Sequence, residues 1–241
     1  MNLTPVDSTV LPQALASLAD LLPAGTTAAA AFASIARSVD CGEPEETPAL
    51  HADALALVER FGIPAIDEAP TEAFSWDGAA VRTRSEAAVL IHEVAHWQIA
   101  PPERRALPDF GLGAGPETGR AAEAEAARCV DLAAKAEEEL LASLLGILWE
   151  AALGHPAIHS FIEQNWLEAW ERPAAAEQFV RAVDALLERG LVDRNGVPAG
   201  PDRQPRDQVG RAATAAISIR NSGQASAETS TMADAGPSFG K

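Results

Sequence analysis

The chain has 241 residues, enough for one sizeable core. Its apolar share is 47%, much of it alanine, aromatics are 5% and Tyr is absent, which favours helix and argues against a large all-β core. With 35 acidic residues against 18 basic ones, the net charge of -17 argues against nucleic acid or an acidic membrane surface as partner, since phosphates would be repelled.

Leu11, Leu15, Leu18 and Leu21 recur at helical spacing, so residues 11–38 predict two helices broken at Pro23-Ala24-Gly25. Residues 41–49, rich in Pro and Glu, predict a loop. A helix follows from Leu50 to Phe61, ended by Gly62 and Pro64. Residues 63–84 are the β region: Phe74-Ser75-Trp76 and Ala79-Ala80-Val81 flank Asp77-Gly78, a hairpin-type turn pair. Thr83 and Glu86 then read as a capping box. The helix they open runs through Ala87 to Ile91 and beyond, is apolar nearly all round and is expected to be buried. Pro101-Pro102 ends it, and residues 101–119 form an irregular loop. A long helical stretch from Ala121 to Leu153 is expected to break near Lys135. Gly154 and Pro156 separate it from helices at 157–171 and 174–189. Residues 220–241 are Ser/Ala/Gly-rich and cannot offset the entropy of folding. The expected organisation is a single helical domain over 1–195 and a disordered Pro/Gly/Ser-rich tail over 196–241.

Cys41 and Cys129 do not make a disulfide framework and read as reduced thiols of a cytoplasmic protein. The first residues carry no basic stretch, so no signal peptide is expected, and no apolar run is long enough to span a bilayer.

The strongest chemical signal is His92-Glu93-Val94-Ala95-His96. Histidines at i and i+4 overlie each other on one helix face and can share a metal ion, with the intervening Glu93 beside it as a candidate general base. Two of the chain's five histidines fall here, on an otherwise apolar helix. A third ligand must come from elsewhere. Asp109, Glu117, Glu123, Glu125, Asp131 and the run Glu137-Glu138-Glu139 are the candidates. Glu139 is favoured because Ala142, Ser143 and Gly146 stand on its face and would let two helices approach closely. Glu137 and Glu138, with leucines as face neighbours, read as rim charges. Arg104 and Arg105 are candidates for clamping Asp109 or a substrate carboxylate, or for meeting the helix C-terminus as plain charges. Trp97 reads as a core residue beside His96. His155 and His159 are also four apart, but Pro156 puts His155 at a helix start. The glycines from Gly111 to Gly119 lack the Lys-Ser/Thr of a phosphate loop and read as a mobile rim.

The segment His92-Glu93-Val94-Ala95-His96-Trp97-Gln98-Ile99-Ala100, with Arg104-Arg105, Leu107 and Asp109-Phe110-Gly111 after it, resembles the elongation factor P hydroxylase family. The family pattern is HE[IV]-x-HW-x-IA followed by RR-x-L-x-DFG, matched here without gaps. A carboxylate some fifteen residues before a Gly-aromatic-Pro is similar too, with Glu139 and Gly154-His155-Pro156 in those places. Glu139-Leu140-Leu141-Ala142 also resembles the ExxA of gluzincin-type peptidases. The resemblance implies a non-haem Fe(II), oxygen-dependent hydroxylase acting on a lysine-derived side chain of elongation factor P. After Gly111 the chain departs from the family, which continues with an aromatic, Cys-containing stretch.

The expected fold is therefore mainly α (α+β) and zincin-like: the His-Glu-x-x-His helix packed on a second ligand-bearing helix, with a small β-hairpin or sheet. His92, His96 and Glu139 are the expected ligands of one ion, Glu93 the expected catalytic residue, and Arg104, Arg105 and Asp109 the candidates for substrate contact. Fe(II) implies a hydroxylase of elongation factor P or another protein; Zn(II) on the same ligands implies a hydrolase or peptidase. A third reading is a non-catalytic, metal-stabilised interaction protein.

Overall fold

A computed structural model describes residues 9–41, 46–70, 74–115, 120–168, 170 and 172–201. The chain divides into a unit running to Gln204 and a remainder, Pro205–Lys241, that lies outside the described residues. The expectations for residues 220–241, and for most of the tail from 196, fall there.

The described residues form eight α-helices and one two-stranded sheet. The first two helices are α1, Leu11–Leu21, and α2, Thr27–Ala36, with the break at Pro23-Ala24-Gly25 as expected. Thr26 caps α2 by accepting the Ala29 N–H at 3.3 Å. Helix α3, Pro48–Arg60, starts two residues earlier than its leucines suggest, because Thr47 caps the Leu50 N–H and Pro48 suits the first turn.

The β region differs from a hairpin. Strand β1, Ala65–Ile66, pairs in parallel with β2, Val81–Arg82. The Asp77-Gly78 turn is present, with Asp77 Oδ1 accepting the N–H groups of Ala79 and Ala80 at 2.8 and 2.9 Å. It returns the chain by only one antiparallel bridge, Trp76 to Val81. Val81 is thus shared between two partners, β1 and Trp76.

Helix α4, Ala87–Ile99, carries the histidine motif. No capping box opens it. Glu86 is the cap position without a side-chain bond, Thr83 Oγ1 donates instead to the Ile66 carbonyl, and the Ala87 N–H is taken by Glu46 Oε1 at 3.2 Å. Val94 and Leu90 are fully buried, as an all-round apolar helix requires.

Helix α5, Ala121–Ala127, and helix α6, Leu132–Leu153, divide the next stretch at Arg128–Asp131, ahead of Lys135. Asp131 sets that break, because its Oδ1 caps the Ala134 N–H at 2.8 Å. Gly154, at φ 79°, ends α6. Helix α7, Ala157–Glu163, is shorter than expected and gives way to turns. Helix α8, Pro173–Glu188, closes the helical order.

Helices α4 and α6 pack directly on each other, with α3 against α4 and α2, α7 and α8 against α6. Phe32, Phe161, Trp166 and Phe179 fill the far side of α6 with edge and stacked ring contacts. Beyond α8, Val192 bridges Pro198, and Gln98 of α4 donates to the Ala199 carbonyl while accepting the Trp149 indole N–H. No helix of the described residues is long and apolar enough to cross a membrane.

Candidate metal centre

Helices α4 and α6 hold the site between them. One turn apart on α4, His92 and His96 bring their Nε2 atoms to 3.1 Å, with ring planes at 89°. From α6, Glu139 places Oε2 at 3.4 Å from His96 Nε2 and 4.0 Å from His92 Nε2. Among the described residues, these three form the group whose ligand atoms converge closely enough to share an ion. Donors bonded to one ion at about 2.1 Å sit roughly 3.0–3.4 Å apart. Two separations match that spacing, and the third, between Glu139 and His92, is longer at 4.0 Å. Two imidazoles and a carboxylate suit Fe(II) in a facial arrangement and Zn(II) in a tetrahedral one.

The close approach of the helices has a visible cause. A methyl on Gly146 would rest 3.5 Å from His92 Cα, ordinary contact, and anything larger would force the helices apart. Ala142 is fully buried in the same strip. Ser143 is turned elsewhere and accepts the Trp166 indole N–H at 2.8 Å.

Of the other carboxylates weighed as ligands, Glu123 pairs with Arg120, Glu125 with Arg128, and Asp131 caps α6. Glu117 lies outside the described residues. Glu137 is exposed and pairs with Arg189. Glu138 is not a rim charge. It is buried, ion-paired to Arg104, with Oε1 3.8 Å from His96 Nδ1. The leucines near it were the signal: Leu141 and Leu145, three and seven residues on, are buried, so they mark the inward face of α6.

Asp109 lines the cleft beside the histidines, together with Glu93. Arg104 and Arg105 brace the loop that carries it. Arg104 donates to the Phe110 carbonyl at 3.2 Å, and Arg105 donates to the Ala100 carbonyl at 3.0 Å while its guanidinium lies 4.8 Å over the Trp97 ring. Trp97 is half-buried and meets Trp76 edge-on. Trp76 anchors the loop twice: its indole N–H donates to the Arg105 carbonyl and its own carbonyl accepts the Asp109 N–H.

The turn at Pro108–Gly111 is strained. Asp109 and Phe110 both hold left-handed backbone, at φ 43° and 53°. Such conformations cost non-glycine residues about 1–3 kcal/mol each and persist where the surroundings enforce them. Here they aim the Phe110 ring into a stack between Trp76 and His96, at centroid distances of 5.5 and 5.4 Å. Gly111 holds φ 70°, which strains any other residue, and a Cβ there would meet Cys129 Sγ at 2.7 Å. Lys135 ties the following residues down by donating to the Gly113 and Ala114 carbonyls.

The charges in the cleft are strongly coupled. Burial, aided by the neighbouring His96 charge, pushes His92 down to about 3. Burial opposes the charge on His96 as well, but the Glu138 and Glu139 carboxylates outweigh it and hold that ring up to about 10. Burial would raise Glu139, yet the two histidines and Lys135 keep it below the usual carboxylate value. Burial pushes Glu93 up to about 7, with Asp109 and Glu139 adding to the effect against His96. In the metal-free pair the added proton of an imidazolium is therefore favoured on His96 over His92, and a cation must displace it.

His155 and His159, the other histidine pair, line a separate cavity, and His155 Nε2 lies 3.5 Å from Asp53.

A family model described as elongation factor P hydroxylase matches residues 71–192, a span that contains α4, the Pro108–Gly111 turn and α6. No curated protein and no solved structure matches the chain.

Proposed function

Because the chain belongs to the elongation factor P hydroxylase family, matched over half its length, we propose that it is a non-haem Fe(II), oxygen-dependent hydroxylase acting on a lysine-derived side chain of elongation factor P. The observation that carries this reading is the convergence of His92, His96 and Glu139, inside the matched span, on a cleft of about 670 Å³. A cleft of that size accepts an extended aliphatic side chain. Fe(II) held by the three residues would supply the activation of O₂ that hydroxylating a carbon requires, one oxygen atom going to the carbon and the other to water with two electrons from an external reductant.

The remaining residues have roles of their own. Glu93 titrates close to neutral, so it can hold or release a proton beside the reacting groups. Asp109, with Glu93 when it has released its proton, offers carboxylates in the cleft to the ammonium of a lysine-derived chain. Phe110 and Leu112 supply an apolar wall that limits water. Of the residues weighed for substrate contact, Asp109 takes that role, and Arg104 and Arg105 hold its loop.

The same donors would also serve a zinc hydrolase, and the raised carboxyl of Glu93, next to His92, fits the general base of that chemistry. Metal analysis and nitric oxide addition to the anaerobic Fe(II) form separate the two readings. An Fe(II)-nitrosyl spectrum supports the hydroxylase. Tight zinc with no such spectrum supports the hydrolase.

A further inference from the structure

Two polar atoms next to the metal centre are buried without a hydrogen-bond partner: His96 Nδ1 and Glu138 Oε1. They face each other at 3.8 Å. Leaving a buried polar group unsatisfied is unfavourable, and a single bond between these two would satisfy both. The other oxygen of Glu138 is held by Arg104, whose side chain is 11% exposed. Arg104 also donates to the Phe110 carbonyl, and the Phe110 ring stacks on His96. The imidazole of His96 therefore has a carboxylate facing its Nδ1 edge and a ring stacked on its face, both tied to one guanidinium.

We infer that Glu138 is a positioning residue for the metal centre: it accepts the Nδ1–H of His96, so that the ring offers its Nε2 lone pair to the ion, and Arg104 keeps Glu138 there. The inference rests on the metal reading of His92, His96 and Glu139. Consecutive residues on a helix point about 100° apart, so the adjacent pair Glu138-Glu139 serves both sides of one histidine. Glu139 stands at its Nε2 and Glu138 behind its Nδ1. Arg104 occupies Glu138 and so keeps it from competing for the ion. A carboxylate behind a metal-bound histidine fixes the tautomer and raises the basicity of the ligand, and its loss typically costs 10–100-fold in affinity.

The test is anaerobic Co(II) titration of the full chain, read by visible absorption and by proton NMR of the exchangeable ring N–H of His96. In E138Q, Co(II) binding is expected to weaken about 10–100-fold, and the ring N–H, slow to exchange in the parent, to exchange fast. Removing Glu138 alone strands Arg104, so the double variant R104M/E138M, which leaves no unpaired charge, is measured beside it with circular dichroism as the check on folding. The same loss of Co(II) affinity in the folded double variant supports the inference. A folded R104M/E138M protein with parental Co(II) affinity overturns it. Parent protein that takes up no Co(II) overturns the metal reading beneath it.

Discussion

The ring of Phe110 lies nearly flat on that of His96, with centroids 5.4 Å apart and planes 19° from parallel. Since Phe110 sits in left-handed backbone, this contact is made at the expense of local strain. The turn therefore belongs to the metal centre as much as to the loop. Phe110→Leu is expected to lower stability by about 1–2 kcal/mol and to weaken Co(II) binding, because a ligand ring with one face freed is less well oriented. Thermal melting and Co(II) titration of the same variant check both effects.

Gly146 sets the spacing between the ligand helices. Gly146→Ala should fit and raise stability by up to about 1 kcal/mol, since a helix interior prefers alanine. Gly146→Leu should push α6 off His92, withdraw Glu139 and weaken Co(II) binding roughly tenfold or more, even where the protein remains folded. Equal Co(II) affinity in both variants would show that helix spacing does not govern the site.

Metal binding should strengthen with rising pH. His96, held up to about 10 in the metal-free protein, must lose its proton to bind, while Glu139 is already ionised. Each such proton makes the apparent affinity rise about tenfold per pH unit below that value. The folding linkage has the opposite sign. The raised His96 stabilises the metal-free fold fully below about 6.5, and this contribution fades as pH rises through about 10. Co(II) titrations and melting curves over a pH series separate the two trends.

Glu150 is buried, bonded to the Ser160 hydroxyl at 2.8 Å, and pushed up to about 8 by burial and by nearby Glu163, against the Ser160 bond. Its folded value exceeds its unfolded one, so the fold binds the extra proton between about 4.5 and 8. Stability is therefore expected to fall as pH rises across that window. Glu150→Gln should remove this slope and make the protein more stable than the parent above pH 8, by about 1–3 kcal/mol. Denaturant unfolding at both ends of the window measures it.

Much of the architecture could be read from local rules. The prolines and glycines place most helix ends, and the apolar run through Ala87–Ile91 marks a buried helix. The i, i+4 histidines point to one face and Gly146, one of the small residues after Glu139, to another, and the structure brings those faces together, while Ser143 turns to Trp166. What could not be read depends on contacts distant in the chain. Thr83 is drawn from a capping role by the carbonyl of Ile66, and Val81, the first residue of β2, pairs in parallel with β1. Glu138 looks like one of three surface acids until Arg104 arrives from a loop 34 residues away. Nothing in Asp109-Phe110 announces left-handed backbone, which Trp76 and His96 impose by packing.

The central claim is tested most directly by the mass of elongation factor P, bearing its lysine-derived side chain, after incubation with the Fe(II)-loaded protein, O₂ and a two-electron reductant such as ascorbate. The expected result is a gain of one oxygen atom, lost under nitrogen and lost with Glu139→Ala. An unchanged mass with Fe(II) demonstrably bound, or a cleaved product formed equally well without O₂, would contradict it.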